Sequence, residues 1–134
     1  MTLGAVRTEI ERLHRFFEDW FTGGDGHSIT EFSDCLDTQF FIVSPSAETL
    51  DKETIVAGVV AHFGQGRVEI TIENVSVARE DRGLIVATYE EHQHRQGQRT
   101  VRVSTVGMAA DADTPGGYRW LFVHETWLVP PSDA

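Results

Sequence analysis

The chain has 134 residues, of which 40% are apolar and 24% charged, and its formal net charge is -10 at pH 7. This length suits one domain, expected to span residues 1–134, and the composition is that of a globular protein rather than of a disordered or fibrous one. Because 21 acidic residues outnumber 11 basic ones, the surface repels phosphate backbones and anionic lipid, which excludes nucleic acid and membranes as expected partners.

The first predicted element is a long amphipathic helix. Its apolar residues recur at steps of three and four, which keeps them on one helix face. They are Val6, Ile10, Leu13, Phe17 and Trp20. Gly23 and Gly24 are expected to end this helix, since glycine is common just past a helix C-terminus. His14 is expected at the helix surface.

Two shorter helices and a strand are predicted next. Ser28 and Glu31 have the spacing of a capping box, which predicts a second helix. Its apolar residues are Phe32, Cys35 and Leu36. The β-rich run at 40–43 predicts a strand that stops at Ser44-Pro45, and Leu50-Asp51 leads into a third helix. The predicted inward residues of that helix are Ile55, Val56, Val59, Val60 and Phe63.

In the second half of the chain the apolar pattern changes to a period of two, which is typical of strands. The predicted strands are 68–78, 84–94, 99–109 and 118–129. Asp81-Arg82-Gly83 and Gln96-Gly97 are turn sequences, so these strands are expected to form an antiparallel meander. Residues 130–134, which begin with Pro130-Pro131, are expected to be a disordered tail.

Cysteine content and the N-terminal segment predict a cytoplasmic location. Cys35 is the single cysteine, so no intramolecular disulfide can form, and we expect it to be a buried apolar side chain. The N-terminal segment carries charges throughout and lacks the apolar core of a signal peptide. No apolar run approaches the length of a transmembrane helix.

The order helix, helix, strand, helix and four strands, ending in the sequence from Trp120 to Trp127, resembles the nuclear transport factor 2-like superfamily. The resemblance is greatest to its small, uncharacterised bacterial and SnoaL-like, polyketide-cyclase-like branch. It implies an α+β, cystatin-like cone, in which a strongly bent antiparallel sheet carries three helices from the N-terminal half on its concave face. It further implies a pocket in the cone and a homodimer formed through the outer sheet face. The superfamily includes isomerases, cyclases, dehydratases and binding modules, so the likeness does not choose a function.

One member of the superfamily, bacterial ketosteroid isomerase, needs a carboxylate base, a tyrosine and a protonated aspartic acid. Alignment with it puts Ser44 at the base, Phe17 at the tyrosine and Val106 at the aspartic acid. These side chains cannot carry out that proton transfer, so we expect no steroid isomerisation by this mechanism. They are expected to line the pocket instead.

Strand pairing predicts which side chains share the pocket face. A two-residue turn at Gln96-Gly97 sets Glu91 opposite Arg102 and Tyr89 opposite Ser104. In the last strand the isomerase comparison points Trp120, Phe122 and His124 inward. The residues expected to contact a ligand are Phe17, Trp20, Ser44, Tyr89, Ser104, Val106, Trp120 and Phe122.

The expected catalytic residues are His124, Arg102 and Glu91. His124 would act as a general base near neutral pH, and Arg102 would hold a carboxylate or enolate oxygen. Two alternatives remain open: Glu91 and Arg102 can form a cross-strand ion pair, and His124 can be a hydrogen-bonded core residue.

In the predicted strand 84–94, alternation places Glu90, His92 and His94 together on the face opposite to that of Tyr89 and Glu91. This grouping has the residue types of a metal site. A solvated, pH-sensitive strand end explains it better, and no further ligand is indicated, so we expect no metal.

Two functions are compatible with these features. The chain can be a cofactor-independent enzyme that moves a proton on a small hydrophobic organic substrate, as isomerases, cyclases and dehydratases do. The alternative is a non-catalytic ligand-binding or dimerisation module of the same fold.

Overall fold

The computed structural model describes residues 2–132. Its helices are α1 (Thr2–Thr22), α2 (Thr30–Ser33) and α3 (Lys52–Ala61). Its strands are β1 (Leu36–Val43), β2 (Thr49–Asp51), β3 (Glu69–Asp81), β4 (Leu84–Arg95), β5 (Gln98–Ala110) and β6 (Tyr118–Val129). The strands form one bent sheet in the order β2-β1-β6-β5-β4-β3. The predicted α+β cone with its helices in the N-terminal half is confirmed.

The meander from β3 to β6 is antiparallel, and its predicted register is confirmed. Glu91 lies opposite Arg102, and Tyr89 lies opposite Ser104. One pair of neighbouring strands differs from the rest, because β1 runs parallel to β6. Parallel neighbours require a long connection, and most of the chain lies between these two strands.

Helix α1 packs on the concave face through the predicted stripe. Val6, Ile10 and Leu13 are all buried, and complete burial of a side chain of this size contributes about 1.5–3 kcal/mol. The stripe also buries Glu9, which accepts hydrogen bonds from Arg12 and, at 2.8 Å, from the indole Nε1 of Trp120. This carboxylate joins α1 to β6, so α1 stays in place over the concave side of the sheet.

Helix α2 is shorter than predicted. It has four residues, and Leu36 already belongs to β1. The reason is a sheet contact: the carbonyl oxygen of Cys35 accepts a hydrogen bond from the backbone N–H of Trp120 at 2.7 Å, which draws the chain into β1. Cys35 is buried as expected, and this burial raises the pKa of its thiol to about 11.

Helix α3 begins where its cap predicts, because the Asp51 side chain accepts a hydrogen bond from the N–H of Thr54 at 2.9 Å. The inward face predicted for this helix was too wide. Ile55 is buried, whereas Val60 is 49% exposed and Phe63 is 46% exposed. The helix packs against β1 and β2, so only one side of it meets the sheet.

Pro130, Pro131 and Ser132 follow β6 without regular secondary structure. Positions 133–134 of the predicted tail lie outside the described residues. Within the described part, no helix combines the length and the apolarity needed to cross a membrane.

Candidate functional site

A cavity of about 290 Å³ lies between the helices and the concave face of the sheet. Its apolar lining comes from both layers and includes Leu13, Phe17, Phe32, Leu36, Phe40, Ile55, Ile70, Trp120 and Val123. Its polar lining is His14, Tyr89, Glu91, Gln93, Arg95, Arg102 and Glu125. An apolar wall with a few convergent polar groups is typical of a site for a small organic molecule.

Strand register arranges the polar groups in two rows across β4, β5 and β6. The first row is Tyr89, Ser104 and Glu125. The second row is Glu91, Arg102 and Trp127. Residues directly opposite one another have Cβ atoms about 4.5–5.5 Å apart, so each row is a set of side-chain neighbours.

His14 reaches into the second row from α1 and pairs with Glu91. Its Nε2 lies 3.0 Å from Glu91 Oε1, and its Nδ1 lies 2.7 Å from the carbonyl oxygen of Ile10. A carbonyl and a carboxylate only accept hydrogen bonds, so both ring nitrogens donate and the imidazole is a cation. No lone pair remains on His14 to take a proton from a ligand.

The pKa values of this buried pair agree with that assignment. Burial lowers the pKa of His14, but the charge of Glu91 more than offsets this and leaves the pKa raised. Burial raises the pKa of Glu91, but the charge and hydrogen bond of His14 bring it down to about 2. Glu91 also accepts a hydrogen bond from Gln93. It is therefore a carboxylate of very low basicity.

Glu125 and Arg102 form a second, looser pair. Arg102 Nη1 lies 3.4 and 3.5 Å from the two oxygens of Glu125, and its guanidinium stands 4.9 Å over the Trp127 ring. Among residues 2–132, Arg102 Nε is buried and has no hydrogen-bond partner. Burial raises the pKa of Glu125 above its ordinary value, and Arg102 offsets this only in part. Glu125 is thus the carboxyl group in the cavity best suited to exchange a proton.

Tyr89 and Ser104 complete the first row. Burial raises the pKa of Tyr89 well above its ordinary value, so the phenol stays neutral and can donate a hydrogen bond. Ser104 is fully buried, and its Oγ has no hydrogen-bond partner within the described range.

Comparison with known proteins agrees with this architecture. No protein-family model and no curated protein matches the chain. A nuclear transport factor 2-like protein of unknown function from Pseudomonas aeruginosa is similar over 92% of this chain and 98% of its own, with 25% identity and a TM-score of 0.84. This chain has the nuclear transport factor 2-like fold. The resemblance inferred from its sequence is confirmed.

Two other structures share the nuclear transport factor 2-like fold with this chain. One is a protein from Cytophaga hutchinsonii with 14% identity and a TM-score of 0.68, matched over 96% of this chain and all of the other. The second is the β subunit of the benzoate 1,2-dioxygenase from Burkholderia mallei. It has 12% identity and a TM-score of 0.73 over 91% of this chain and 87% of its own.

Most residues predicted for the site lie near the cavity, but not all line it. Those that line it are Phe17, Tyr89, Glu91, Arg102 and Trp120. Ser44 instead lines an adjoining cavity of about 660 Å³, which shares Arg102 and Glu125 with the first. Trp20, Ser104 and Val106 are buried beside the cavity, where the Trp20 indole donates a hydrogen bond to the carbonyl oxygen of Val59 at 2.7 Å.

The predicted directions of His124 and Phe122 were wrong. Gly107 pairs with Phe122 and the next residue, Met108, pairs with Trp120, so β6 contains one extra residue at this point. Such a bulge reverses the alternation of side chains beyond it. Val123 and Glu125 therefore face the cavity, whereas His124 is exposed on the outer face. A mechanism with His124 as general base in the cavity does not fit this arrangement.

Two important cavity residues were missed in the sequence. His14 was expected at the surface, although it follows Ile10 by four residues and precedes Phe17 by three, which places it on the apolar face of α1. That spacing could have found it. Glu125 carried no such signal, because its inward direction depends on the bulge in β6.

Proposed function

We propose that this protein binds a small, largely apolar organic molecule in its cavity and moves a proton on it, with Glu125 as the acid–base group. The observation that carries the proposal is the Glu125–Arg102 pair at the polar side of an apolar cavity. Glu125 combines a raised pKa with a place on the cavity wall, and Arg102 has a buried donor, Nε, that finds no acceptor among residues 2–132. No organic cofactor is required for this chemistry.

The volume and lining of the cavity indicate the size and character of the ligand. A volume of about 290 Å³ is the share of roughly ten water molecules in the liquid. A compound with one ring and a short side chain fits such a space. Aromatic and aliphatic side chains from α1, α3 and β1 would surround its apolar part.

The polar groups of the cavity indicate that one end of the ligand bears an oxygen atom or a negative charge. A buried donor without a partner costs about 1–3 kcal/mol, and a ligand oxygen that accepted from Arg102 Nε would remove that cost. Arg95 adds a second positive charge at the cavity wall, held 5.6 Å over the Phe21 ring. A carboxylic acid, phenol or lactone supplies the matching oxygen.

In the proposed reaction the Glu125 carboxylate takes a proton from the carbon next to the ligand's carbonyl group. The negative charge that develops on the carbonyl oxygen is stabilised by donors from Arg102 and Tyr89. In a ligand with a carbon–carbon double bond between its β and γ carbons, Glu125 then returns the proton to the γ carbon while the double bond moves next to the carbonyl group, so the reaction is a redox-neutral isomerisation. His14 and Glu91 stay ionised throughout and fix the shape of the cavity.

A ligand screen followed by proton exchange tests this proposal. Arylalkanoic acids, phenols and lactones are screened by thermal shift, since a ligand at 100 times its Kd stabilises the folded state by about 2.7 kcal/mol. Ligands that bind and contain a carbonyl group are then incubated in D₂O and followed by NMR. We expect deuterium to enter next to the carbonyl with the wild type but not with Glu125→Gln, which should still bind. Binding without exchange in the wild type would refute the catalytic part.

A second candidate, assembly through the outer sheet face, is favoured by one observation. Phe41 is 39% exposed on that face and stacks on Phe122 at 5.9 Å between ring centroids. We propose that this aromatic pair lies in a homodimer interface, whether or not the cavity is catalytic. Light scattering should then show a dimer for the wild type and a monomer for Phe41→Glu. A monomeric wild type would exclude this candidate.

A further inference from the structure

A second cluster of ionisable side chains lies on the outer face of the sheet, away from the cavity. Glu73 on β3 and Glu90 on β4 are directly opposite each other, and His92 follows on the same face of β4. His92 Nε2 lies 3.0 Å from Glu90 Oε1 and 3.1 Å from Glu73 Oε2. One ligand atom from each of the three residues falls within 4.8 Å of the others.

This cluster is held in place by a distortion of β3. The register slips between Glu73 and Ser76, and Asn74 adopts the left-handed conformation with φ 55°. Asn74 Nδ2 then donates to Glu90 Oε2 at 2.8 Å, which leaves Oε1 to face His92. A bulge that re-aims side chains and an outer hydrogen bond that orients a carboxylate are both features of binding sites.

The two neighbouring carboxylates of Glu73 and Glu90 attract a cation. Like charges directly opposite in an antiparallel pair destabilise the sheet, and here two carboxylates converge on one point. One imidazole nitrogen and two carboxylate oxygens form a donor set that suits zinc-like transition metals better than calcium or magnesium, which prefer oxygen alone. Three protein ligands leave one tetrahedral position for water.

We propose that Glu73, Glu90 and His92 bind a divalent transition-metal ion of the zinc class at the outer face of β3 and β4. Ligands of a tetrahedral ion with bonds of about 2.0–2.1 Å lie about 3.4 Å apart. The contacts of 3.0 and 3.1 Å around His92 therefore open by only a few tenths of an ångström. The site is independent of the cavity and of the function proposed for it.

Two neighbouring residues define what binding requires. Arg99 Nη2 lies 3.4 Å from His92 Nδ1. To offer Nε2 to the metal, the His92 ring must carry its proton on Nδ1. The exposed Arg99 side chain must then move away from Nδ1. His94, which the sequence suggested as the third ligand, lies opposite Glu69 near the turn and is exposed. Glu73 takes its place because the ladder sets Glu73 opposite Glu90.

The decisive experiment is a metal titration of chelator-treated protein without an affinity tag. Calorimetry with Zn²⁺ should show one equivalent bound to the wild type, undiminished by excess Mg²⁺. His92→Gln and Glu90→Gln should each lower the affinity at least tenfold, since even outer hydrogen bonds are worth 10–100-fold. Asn74→Gly keeps the backbone free to adopt a positive φ and removes the amide, so it should weaken binding by about tenfold.

The matched control is His94→Gln, because His94 lies on the same face of the same strand and should bind Zn²⁺ as the wild type does. Circular dichroism confirms that each variant is folded. A direct readout is the imidazole ¹⁵N spectrum of the wild type, in which Zn²⁺ should shift the Nε2 signal of His92. No stoichiometric binding, or an equal loss in His94→Gln and His92→Gln, overturns the proposal.

Discussion

The cavity contains two ion pairs, Glu91 with His14 and Glu125 with Arg102, and the two pairs differ in almost every physical respect. Glu91 and His14 are 3.0 Å apart, and both nitrogens of His14 have acceptors. Glu125 and Arg102 are 3.4 Å apart at best, and Arg102 Nε has no partner in the described chain. The pKa of Glu91 is lowered to about 2, whereas that of Glu125 is raised.

The difference arises from how many elements meet each carboxyl group. A helix and a strand supply partners to Glu91: His14 comes from α1 and Gln93 from β4. Among residues 2–132, Arg102 is the one side chain that donates a hydrogen bond to Glu125, and its guanidinium also packs on Trp127. A carboxylate with full hydrogen bonding belongs to the structure, and a buried one with weak contacts is available for chemistry.

The largest expected effect is on proton exchange. Glu125→Gln should lower the exchange rate of a bound ligand by about 10²–10⁴, the usual contribution of a general acid or base. Glu91→Asp keeps the negative charge and is the matched control, so it should retain measurable exchange. NMR in D₂O measures both rates. Equal loss in the two variants would remove the distinction between the pairs.

The next effect is on stability. Glu91→Gln should lower the free energy of unfolding by about 3–5 kcal/mol, because it leaves the buried charge of His14 without its partner. Glu125→Gln should cost less than about 1 kcal/mol, since burial already disfavours the charged form of Glu125. Urea unfolding at pH 7 compares them. A larger loss for Glu125→Gln would reverse the assignment of roles.

A third prediction concerns the bulge that turns Glu125 inward. A Cβ atom on Gly107 would clash with the Phe122 ring, so Gly107→Ala should cost about 1–3 kcal/mol through overpacking and also weaken ligand binding. Gly58→Ala is the control, because its Cβ meets nothing within 4 Å in α3 and alanine favours helix by about 0.5–1 kcal/mol. If both variants unfold at the wild-type urea concentration, Phe122 does not hold the bulge.

That bulge also marks the limit of what the sequence could predict. Periodicity and turn residues predicted the meander and the pairing of Glu91 with Arg102, since these depend on local alternation and on the Gln96-Gly97 turn. The direction of Glu125 depends on one extra residue in β6, which leaves no local signal. Likewise, the end of α2 depends on a contact between Cys35 and Trp120, residues far apart in sequence.

The smallest change from one measurement to the next is expected in the pH dependence of stability, at most about 1.4 kcal/mol per pH unit for each group. The lowered pKa of Glu91 stabilises the folded state above pH 4.5, its ordinary value, and this stabilisation is lost as the pH falls toward 2. The raised pKa of Glu125 has the opposite sign: its stabilisation is present below pH 4.5 and is lost as the pH rises through the folded-state value.

The two signs can be separated by comparing variants. As the pH rises from 2 to 4.5, Glu91→Gln should lose stability relative to the wild type, because only the wild type gains the ion pair with His14. Above pH 4.5, Glu125→Gln should gain stability relative to the wild type, because it avoids the cost of a buried charge. Urea unfolding at closely spaced pH values measures both differences. Parallel curves for the two variants would show that the two glutamates share one environment. The acid–base role proposed for Glu125 would then be refuted.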